Sequence, residues 1–185
     1  AASPNIYEGA LPEMVAGLIP DLRAVARTSG DVAIYIANGH GAWEAALANT
    51  VAPGEKVLIP ATGRFGFGWG EMAEGLGIEV EMLDFGRQTP IDPDAVAAAL
   101  RADTGQKIKA VLAVHVDTSS SLRNDIAALR QVLDDVGHPA LLMADCIASL
   151  VCDRFEMDAW GADVTLTGSQ KGLMVPPGLS FVFFN

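Results

Sequence analysis

The chain alternates between two kinds of segment, and this alternation restricts its possible folds more than any other feature. Most of the apolar runs are short, nearly continuous and rich in β-branched residues, which is typical of strands covered on both faces. They occur at 32–36, 56–60, 78–83, 108–114, 140–144 and 163–167. Helix-like segments lie between them, at 41–50, 66–76, 92–102 and 124–136. This order of elements predicts an α/β domain built around a largely parallel sheet.

The local signals at the ends of these segments agree with that prediction. Asp92 before Pro93 and Asn124 before Asp125 are expected to cap two of the helices. Residues 1–30 are expected to form a helix with an irregular lead-in. The final SFVFFN resembles an interior strand with no helix after it. Because a domain that ends on a bare apolar strand would expose a sheet edge, we expect residues 1–185 to be one domain of a longer protein.

Composition argues against several classes of partner. A net charge of -11 and a pI near 4.5 disfavour a surface for nucleic acid or for an acidic membrane. No apolar run approaches the roughly 20 residues that span a bilayer, and the first residues do not resemble a secretory signal. Cys146 and Cys152 have neither zinc-ligand nor redox spacing, so no metal site is predicted. A reducing, cytoplasmic setting is expected, with an organelle as the alternative.

In an open α/β sheet, ligands bind at the carboxyl ends of the strands, so the turns after the strands are the places to search. The first turn places Gly39, His40 and Gly41 before a helix, where backbone N–H groups can meet an anion. The turn matches neither GxGxxG nor GxxxxGK[ST], and an ordinary strand-to-helix turn is an equal alternative. His40 by itself is more typical of a surface or structural histidine.

The next two turns carry aromatic and hydrogen-bonding side chains. Phe65, Phe67 and Trp69 could stack on a ring, although packing of the following helix explains each of them more simply. Residues 117–121 all have hydrogen-bonding side chains, a moderate signal because hydroxyl-rich turns are common. For His115, a hydrogen-bonded position in the core is the simpler interpretation.

Two charged residues, Asp145 and Lys171, follow the last two predicted strands of this series. They could form a buried ion pair, and Asp145 could instead cap a helix. A third interpretation explains more of the sequence. A desolvated lysine loses its proton readily and becomes a nucleophile. Pyridoxal phosphate requires such a lysine, a carboxylate for its pyridine nitrogen, a phosphate cradle and a surface against its ring.

The run ADCIASLVCDRFEMDAWGADVTLTGSQKGLMVPPGLSFV resembles the class V aminotransferases of fold type I, and most closely the serine/alanine/aspartate–glyoxylate aminotransferase group. The family patterns D-x-[IV]-[AS]-S, W-G-x-D-[IV] and G-S-Q-K-[AG]-[LF]-x-x-P-P-G are long and specific. HVDTSSSLRNDI is similar to the family's H-x-E-[ST]-[SA]-T-G, and NGHGAWEAALANTVAPGEKVL to its phosphate-turn region. The resemblance covers the chain from about residue 30 onward. It implies a three-layer α/β/α fold with a mostly parallel central sheet, of which residues 1–185 form the large, cofactor-binding domain.

The resemblance also implies a role for each matching residue. Lys171 would hold pyridoxal phosphate as a Schiff base, and Asp145 would pair with its pyridine nitrogen. Ile147 would press on one face of the ring and Phe65 on the other. The phosphate would be held by Gly39, His40 and Gln170. Either Thr118 or Ser119 would approach the ring hydroxyl.

The implied function is an aminotransferase that moves an amino group from a small amino acid (serine, alanine or aspartate) to glyoxylate or a similar 2-oxo acid. The family is dimeric or larger, so a homodimer or higher homo-oligomer is expected. The alternatives are another class V enzyme of desulfurase or lyase type, and a non-catalytic fragment. Desulfurases usually have His where this chain has Gln170, which favours the aminotransferase.

The sequence departs from the family pattern at two places. Asp117 replaces the family's Glu, and Ser120–Ser121 replace its Thr-Gly, which leaves the amino donor open. The family's later part supplies a small domain, a substrate-carboxylate arginine and phosphate contacts from the neighbouring subunit. No arginine of this chain matches the position of that substrate arginine. We therefore expect the chain by itself to transaminate poorly.

Overall fold

The computed structural model describes residues 5–185, in which helices and strands alternate as expected. The elements in order are α1 Ala10–Ala26, β1 Asp31–Tyr35, α2 Gly39–Thr50, β2 Lys56–Ala61, α3 Arg64–Gly75, β3 Glu79–Asp84, α4 Pro93–Ala102, β4 Ile108–Val114, β5 Val116–Asp117, β6 Leu122–Arg123, α5 Ile126–Val136, β7 Leu141–Asp145, α6 Met157–Trp160, β8 Val164–Gly168 and β9 Ser180–Phe184. The four residues of the expected lead-in before Asn5 lie outside the described residues. No helix within 5–185 is both long enough and apolar enough to cross a bilayer.

Seven strands form one sheet in the order β1-β9-β8-β7-β4-β2-β3. The neighbours from β8 through β3 all pair in parallel. Strand β9 lies inside the sheet and runs antiparallel to both β1 and β8. The expected largely parallel sheet is confirmed, and the apolar run SFVFF is an interior strand because a neighbour covers each of its edges.

Two apolar layers lie on opposite faces of this sheet and make the fold three-layered. One layer contains side chains from α1, α4 and α5, represented by Leu22, Leu100 and Leu129. The other contains side chains from α2 and α3, represented by Leu47 and Trp69. Strand residues enter the two layers alternately, because successive side chains point to opposite faces of a sheet. Burial on both faces accounts for the nearly continuous apolar runs in the sequence.

One of the two expected helix caps is wrong. Asp92 accepts a hydrogen bond from the Asp94 N–H and caps α4 as expected. Helix α5 is capped by Asp125, which accepts from Ala128 N at 2.9 Å. Asn124, the expected cap, is buried instead and its amide donates to Val114 O at 2.8 Å. A buried side-chain amide needs hydrogen-bond partners for its N–H groups as well as for its oxygen. Val114 O provides a partner for the N–H group, whereas capping a helix would use only the oxygen.

The sheet register brings the ends of the central strands together. Val114 at the end of β4 lies opposite Asp145 at the end of β7, and Asp145 lies opposite Leu166 in β8. The short β5–β6 hairpin continues directly beyond β4. The turns that follow these strands therefore meet at one edge of the sheet.

Candidate active site

A cavity of about 240 Å³ opens at this carboxyl edge. Its walls come from the beginnings of α2 and α3, from the β4–β5 segment, and from the turns after β7 and β8. The lining residues are Asn38, Gly39, His40, Trp43, Phe65, Val114, Val116, Thr118, Asp145, Ile147, Ala148, Gln170 and Lys171. Every residue that the sequence predicted for a cofactor site is among them except Ser119. Residues from the first to the last third of the chain thus share one cavity.

Asp145 is a buried carboxylate with two hydrogen bonds from the protein. Its Oδ1 accepts from the Ile147 N–H at 2.8 Å, and its Oδ2 accepts from the Trp43 indole Nε1–H at 2.8 Å. Its pKa is raised to about 6, mainly by burial and also by the charge of Asp117, although the two hydrogen bonds and the charge of Lys171 act in the opposite direction. Residues 147–149 form a turn rather than a helix, so the alternative that Asp145 caps a helix is wrong. The cavity therefore contains a carboxylate able to receive a cationic group.

Lys171 lines the same cavity from the turn that follows β8. It is exposed, as is its neighbour Gln170, so the expectation of a desolvated lysine is wrong for this structure. Lys171 lies in the turn after β8, in which residues 170 and 171 are both exposed. No ion pair joins Lys171 to Asp145 among the described contacts, and the buried-ion-pair alternative therefore lacks support.

The first turn of α2 forms one wall of the cavity. Asn38 caps the helix, and its side chain accepts from the Gly41 N–H at 3.1 Å. The N–H groups at the start of a helix have no partner within the helix, so those of Gly39 and His40 are available to an anion. Gly39 is buried against Ile147, and a Cβ at this position would collide with the Ile147 Cδ1. A side chain at position 39 would require the Ile147 side chain to move, so glycine lets these two walls approach closely.

The position of Phe65 is set by a neighbouring loop. The N-cap of α3 is Gly63, which has no side chain to satisfy the first N–H groups of the helix. Asp117 provides this cap from β5: its Oδ2 accepts from Phe65 N at 2.9 Å and from Gly66 N at 3.3 Å. A Cβ on Gly63 would lie 2.5 Å from the Asp117 Cγ. The buried carboxylate therefore replaces a local cap and fixes the start of α3 at the cavity.

Thr118 and Ser119 have different surroundings. The Ser119 hydroxyl donates to Asp117 Oδ1 at 2.7 Å and accepts from the Arg64 N–H at 2.7 Å. Thr118 lines the cavity. The two residues that the sequence left as alternatives are thus separated: Ser119 supports the cap of α3, and Thr118 faces the cavity.

The remaining histidine and aromatic candidates follow the simpler interpretations. His115 is buried, its Nδ1 lies 2.9 Å from the Ser149 Oγ, and its ring packs against Phe155 and Trp160. Trp69 is buried in the apolar layer beneath α3. Neither residue lines the cavity.

Sequence reasoning missed Trp43, whose ring is buried and whose N–H contacts Asp145. These two residues are 102 positions apart, so no local pattern could have indicated the contact. Sequence reasoning also missed the capping role of Asp117, because Asp117 lies 52 positions after Phe65, whose N–H it accepts.

Comparison with known proteins identifies the family of the chain. Residues 26–185 match the family described as Aminotransferase class-V. The chain is 40% identical over 158 residues to an L-aspartate–glyoxylate aminotransferase of Paracoccus denitrificans, covering 85% of this chain and 40% of that protein. It is 40% identical over 172 residues to a serine–glyoxylate aminotransferase of Methylorubrum extorquens, covering 92% of this chain and 43% of that protein.

Among solved structures, an aspartate aminotransferase of subgroup IV from Thermus thermophilus superposes with a TM-score of 0.87 at 34% identity. That alignment covers 99% of this chain and 51% of the Thermus chain. The chain thus spans roughly two fifths of the length of the curated relatives that it matches. Since the family match extends over most of the sequence, the chain belongs to the class-V aminotransferase family.

Proposed function

We propose that this chain forms the pyridoxal phosphate-binding part of an aminotransferase that acts on a small amino acid and on glyoxylate or a similar 2-oxo acid. The observation that carries the proposal is the single cavity shared by a buried carboxylate, a lysine and a helix N-terminus. The names of the relatives supply the substrate class, since two of them are aminotransferases that use glyoxylate.

The residues present fit this cofactor. The pyridine nitrogen needs a carboxylate, and Asp145 is buried, anchored through both oxygens and open to the cavity. The phosphate needs N–H donors without a nearby negative charge, and the first turn of α2 contains no acidic residue. Phe65 and Ile147 add apolar surfaces from two different elements. We assign the phosphate to Gly39, His40 and Gln170, and the ring hydroxyl to Thr118.

Pyridoxal phosphate, when bound, supplies a ring that withdraws electrons from the substrate Cα. The chain supplies three functions around it. Asp145 would keep a positive charge on the ring nitrogen by accepting its N–H. The Lys171 amine would hold the cofactor and would also be placed to take a proton from the substrate Cα as a general base. The start of α2 orients the phosphate through the helix dipole.

The cavity has no arginine among its lining residues within 5–185. The substrate carboxylate thus lacks the fork of N–H donors that arginine presents. This supports the proposal that the group binding the substrate carboxylate does not come from the residues that line this cavity. The homodimer or larger assembly expected from the family is part of the same proposal.

The test begins with the purified chain and added pyridoxal phosphate. We expect a visible absorption band in the violet, which Lys171→Ala abolishes. Borohydride reduction followed by peptide mass mapping should place the cofactor on Lys171. The matched control is Lys107→Ala, because Lys107 is an exposed lysine that does not line the cavity. Absence of the band in the unmodified chain, or a label on another lysine, would refute the assignment.

The reaction class needs the longer protein. With glyoxylate as acceptor, serine, alanine and aspartate should be compared as donors by following glycine formation. Conversion of cysteine to alanine, with its sulfur released as sulfide when a thiol reductant is added and without formation of glycine, would identify the desulfurase alternative instead. Formation of the visible band without any turnover in the longer protein would indicate a non-catalytic member of the family.

A further inference from the structure

Trp43 contacts several of the residues that line the cavity. The indole is buried in the second turn of α2 and lines the cavity. It stacks on Trp69 with ring centroids 5.9 Å apart and meets the edges of His40 at 4.6 Å and Phe65 at 6.3 Å. Its N–H donates to the Oδ2 of Asp145. Residues proposed for the phosphate, the ring face and the ring nitrogen therefore all contact this one side chain.

The neighbouring tryptophan shows that this hydrogen bond is not a general need of the apolar layer. Trp69 is buried and stacked on Trp43, yet its Nε1–H has no acceptor among the described residues. The fold therefore tolerates a buried indole N–H without a partner in the ring that stacks directly on Trp43. The N–H of Trp43 is different because it is directed at the buried carboxylate.

The charge on Asp145 depends on the groups that face it. Asp117 from β5 disfavours the ionised form, whereas Lys171 from the turn after β8 favours it. His40 from α2 shares the cavity, and Cys146 adjoins Asp145 in the chain. Burial is the largest of these influences, and together they raise the pKa of Asp145 to about 6. The Trp43 N–H favours the ionised form by donating a hydrogen bond to it.

We propose that Trp43 is a positioning residue: its N–H keeps Asp145 ionised and holds the carboxylate toward the cavity, so that a cationic ring nitrogen can bind there. This inference rests on the proposed function for its ligand, but the contact between Trp43 and Asp145 can be tested without any cofactor. Hydrogen bonds to charged groups are about twice as strong as neutral ones. Loss of this donor should raise the pKa of Asp145 by about one unit.

The first experiment uses the cofactor-free chain and nuclear magnetic resonance. The chain has three tryptophans and hence three indole N–H signals. The Trp43 signal should shift with pH, with a midpoint near the Asp145 pKa of about 6, and the shift should vanish in Asp145→Asn. A Trp43 signal that does not respond to pH, or a response that survives Asp145→Asn, would overturn the proposal.

The second experiment removes only the donor. Trp43→Phe deletes the N–H, and the benzothienyl analogue of tryptophan at position 43 keeps the bicyclic ring without it, in case the smaller ring impairs folding. In both, the Asp145 carboxyl signal in protein labelled with ¹³C-aspartate should titrate at higher pH by about one unit. Trp69→Phe is the matched control, because it removes an indole N–H that has no acceptor. A shift in Trp69→Phe equal to that in Trp43→Phe would contradict the specific role of Trp43.

The third experiment measures pyridoxal phosphate affinity against pH. Binding of a cationic ring requires ionised Asp145, so affinity falls as pH decreases through the Asp145 pKa. In Trp43→Phe this fall should begin about one pH unit higher, giving ~10-fold weaker binding on the acidic side and nearly equal binding at high pH. An equal loss at every pH would mean that Trp43 only packs the cavity. If the unmodified chain does not bind the cofactor, the proposed function fails, whereas the two cofactor-free experiments still decide the role of Trp43.

Discussion

Replacing Asp145 by asparagine should remove the loss of stability that ionisation of this buried carboxyl group causes as pH rises. The substitution should also remove cofactor binding. The folded protein raises the Asp145 pKa from 3.8 to about 6. A carboxyl group with a raised folded-state pKa binds its proton more tightly in the folded than in the unfolded chain. The free energy of unfolding therefore decreases as pH rises from about 4 to about 6, and the loss is complete above that range.

The structure gives the size of this effect. The two pKa values differ by about two units, and each unit corresponds to about 1.4 kcal/mol, so the ionised carboxylate costs on the order of 3 kcal/mol. Asparagine has no such cost. Asparagine instead has a different cost that does not depend on pH, because its amide cannot accept both the Trp43 and the Ile147 N–H groups. The pH-dependent part is therefore the quantity to compare.

Urea unfolding of wild type and Asp145→Asn at a series of pH values between 4 and 8 measures this quantity. The stability of the variant relative to wild type should rise by about 2–3 kcal/mol across that range. Asp135→Asn, at an exposed aspartate of α5, controls for the loss of one negative charge in an acidic protein. A relative stability that is flat with pH would refute the reasoning, because Asp145 would then not be a strained ionised group. Addition of pyridoxal phosphate should stabilise wild type but not the variant.

Three further predictions concern residues that line the cavity or hold the start of α3 beside it. Gly39→Ala places a methyl group against Ile147 and should cost about 1–3 kcal/mol and weaken cofactor binding; an unchanged melting temperature with full binding would contradict the close contact. Asp117→Asn puts an amide where two backbone N–H groups point, and should reduce the free energy of unfolding by about 1–3 kcal/mol in urea titrations; no loss would show that α3 needs no cap from β5. Thr118→Val should lower cofactor affinity at unchanged stability, whereas Ser119→Ala should cost about 1 kcal/mol of stability at unchanged affinity, and the reverse pattern would exchange their assignments.

The fold was predictable because its signals are local. Apolar runs buried on both faces gave strands, and helix-like segments between them gave the parallel topology. Local reasoning failed where a tertiary partner took over. Asn124 is a residue type that often caps helices, yet its buried amide donates to Val114 O, and Asp125 caps α5 instead. Lys171 follows an apolar strand, yet it lies in a turn and is exposed.

The sequence by itself determined the class of fold and which strand ends carry the charged, polar and glycine-rich turns. Those properties depend on hydrophobic periodicity and on motifs a few residues long, both of which can be read along the chain. Only the tertiary structure decided which of these residues act together. It selected Thr118 over Ser119 for the cavity, capped α3 with Asp117, and directed the indole of Trp43 at Asp145. These contacts join residues about 50 to 100 positions apart, and the pKa of Asp145 depends on burial that exists only when the sheet and its helices have packed.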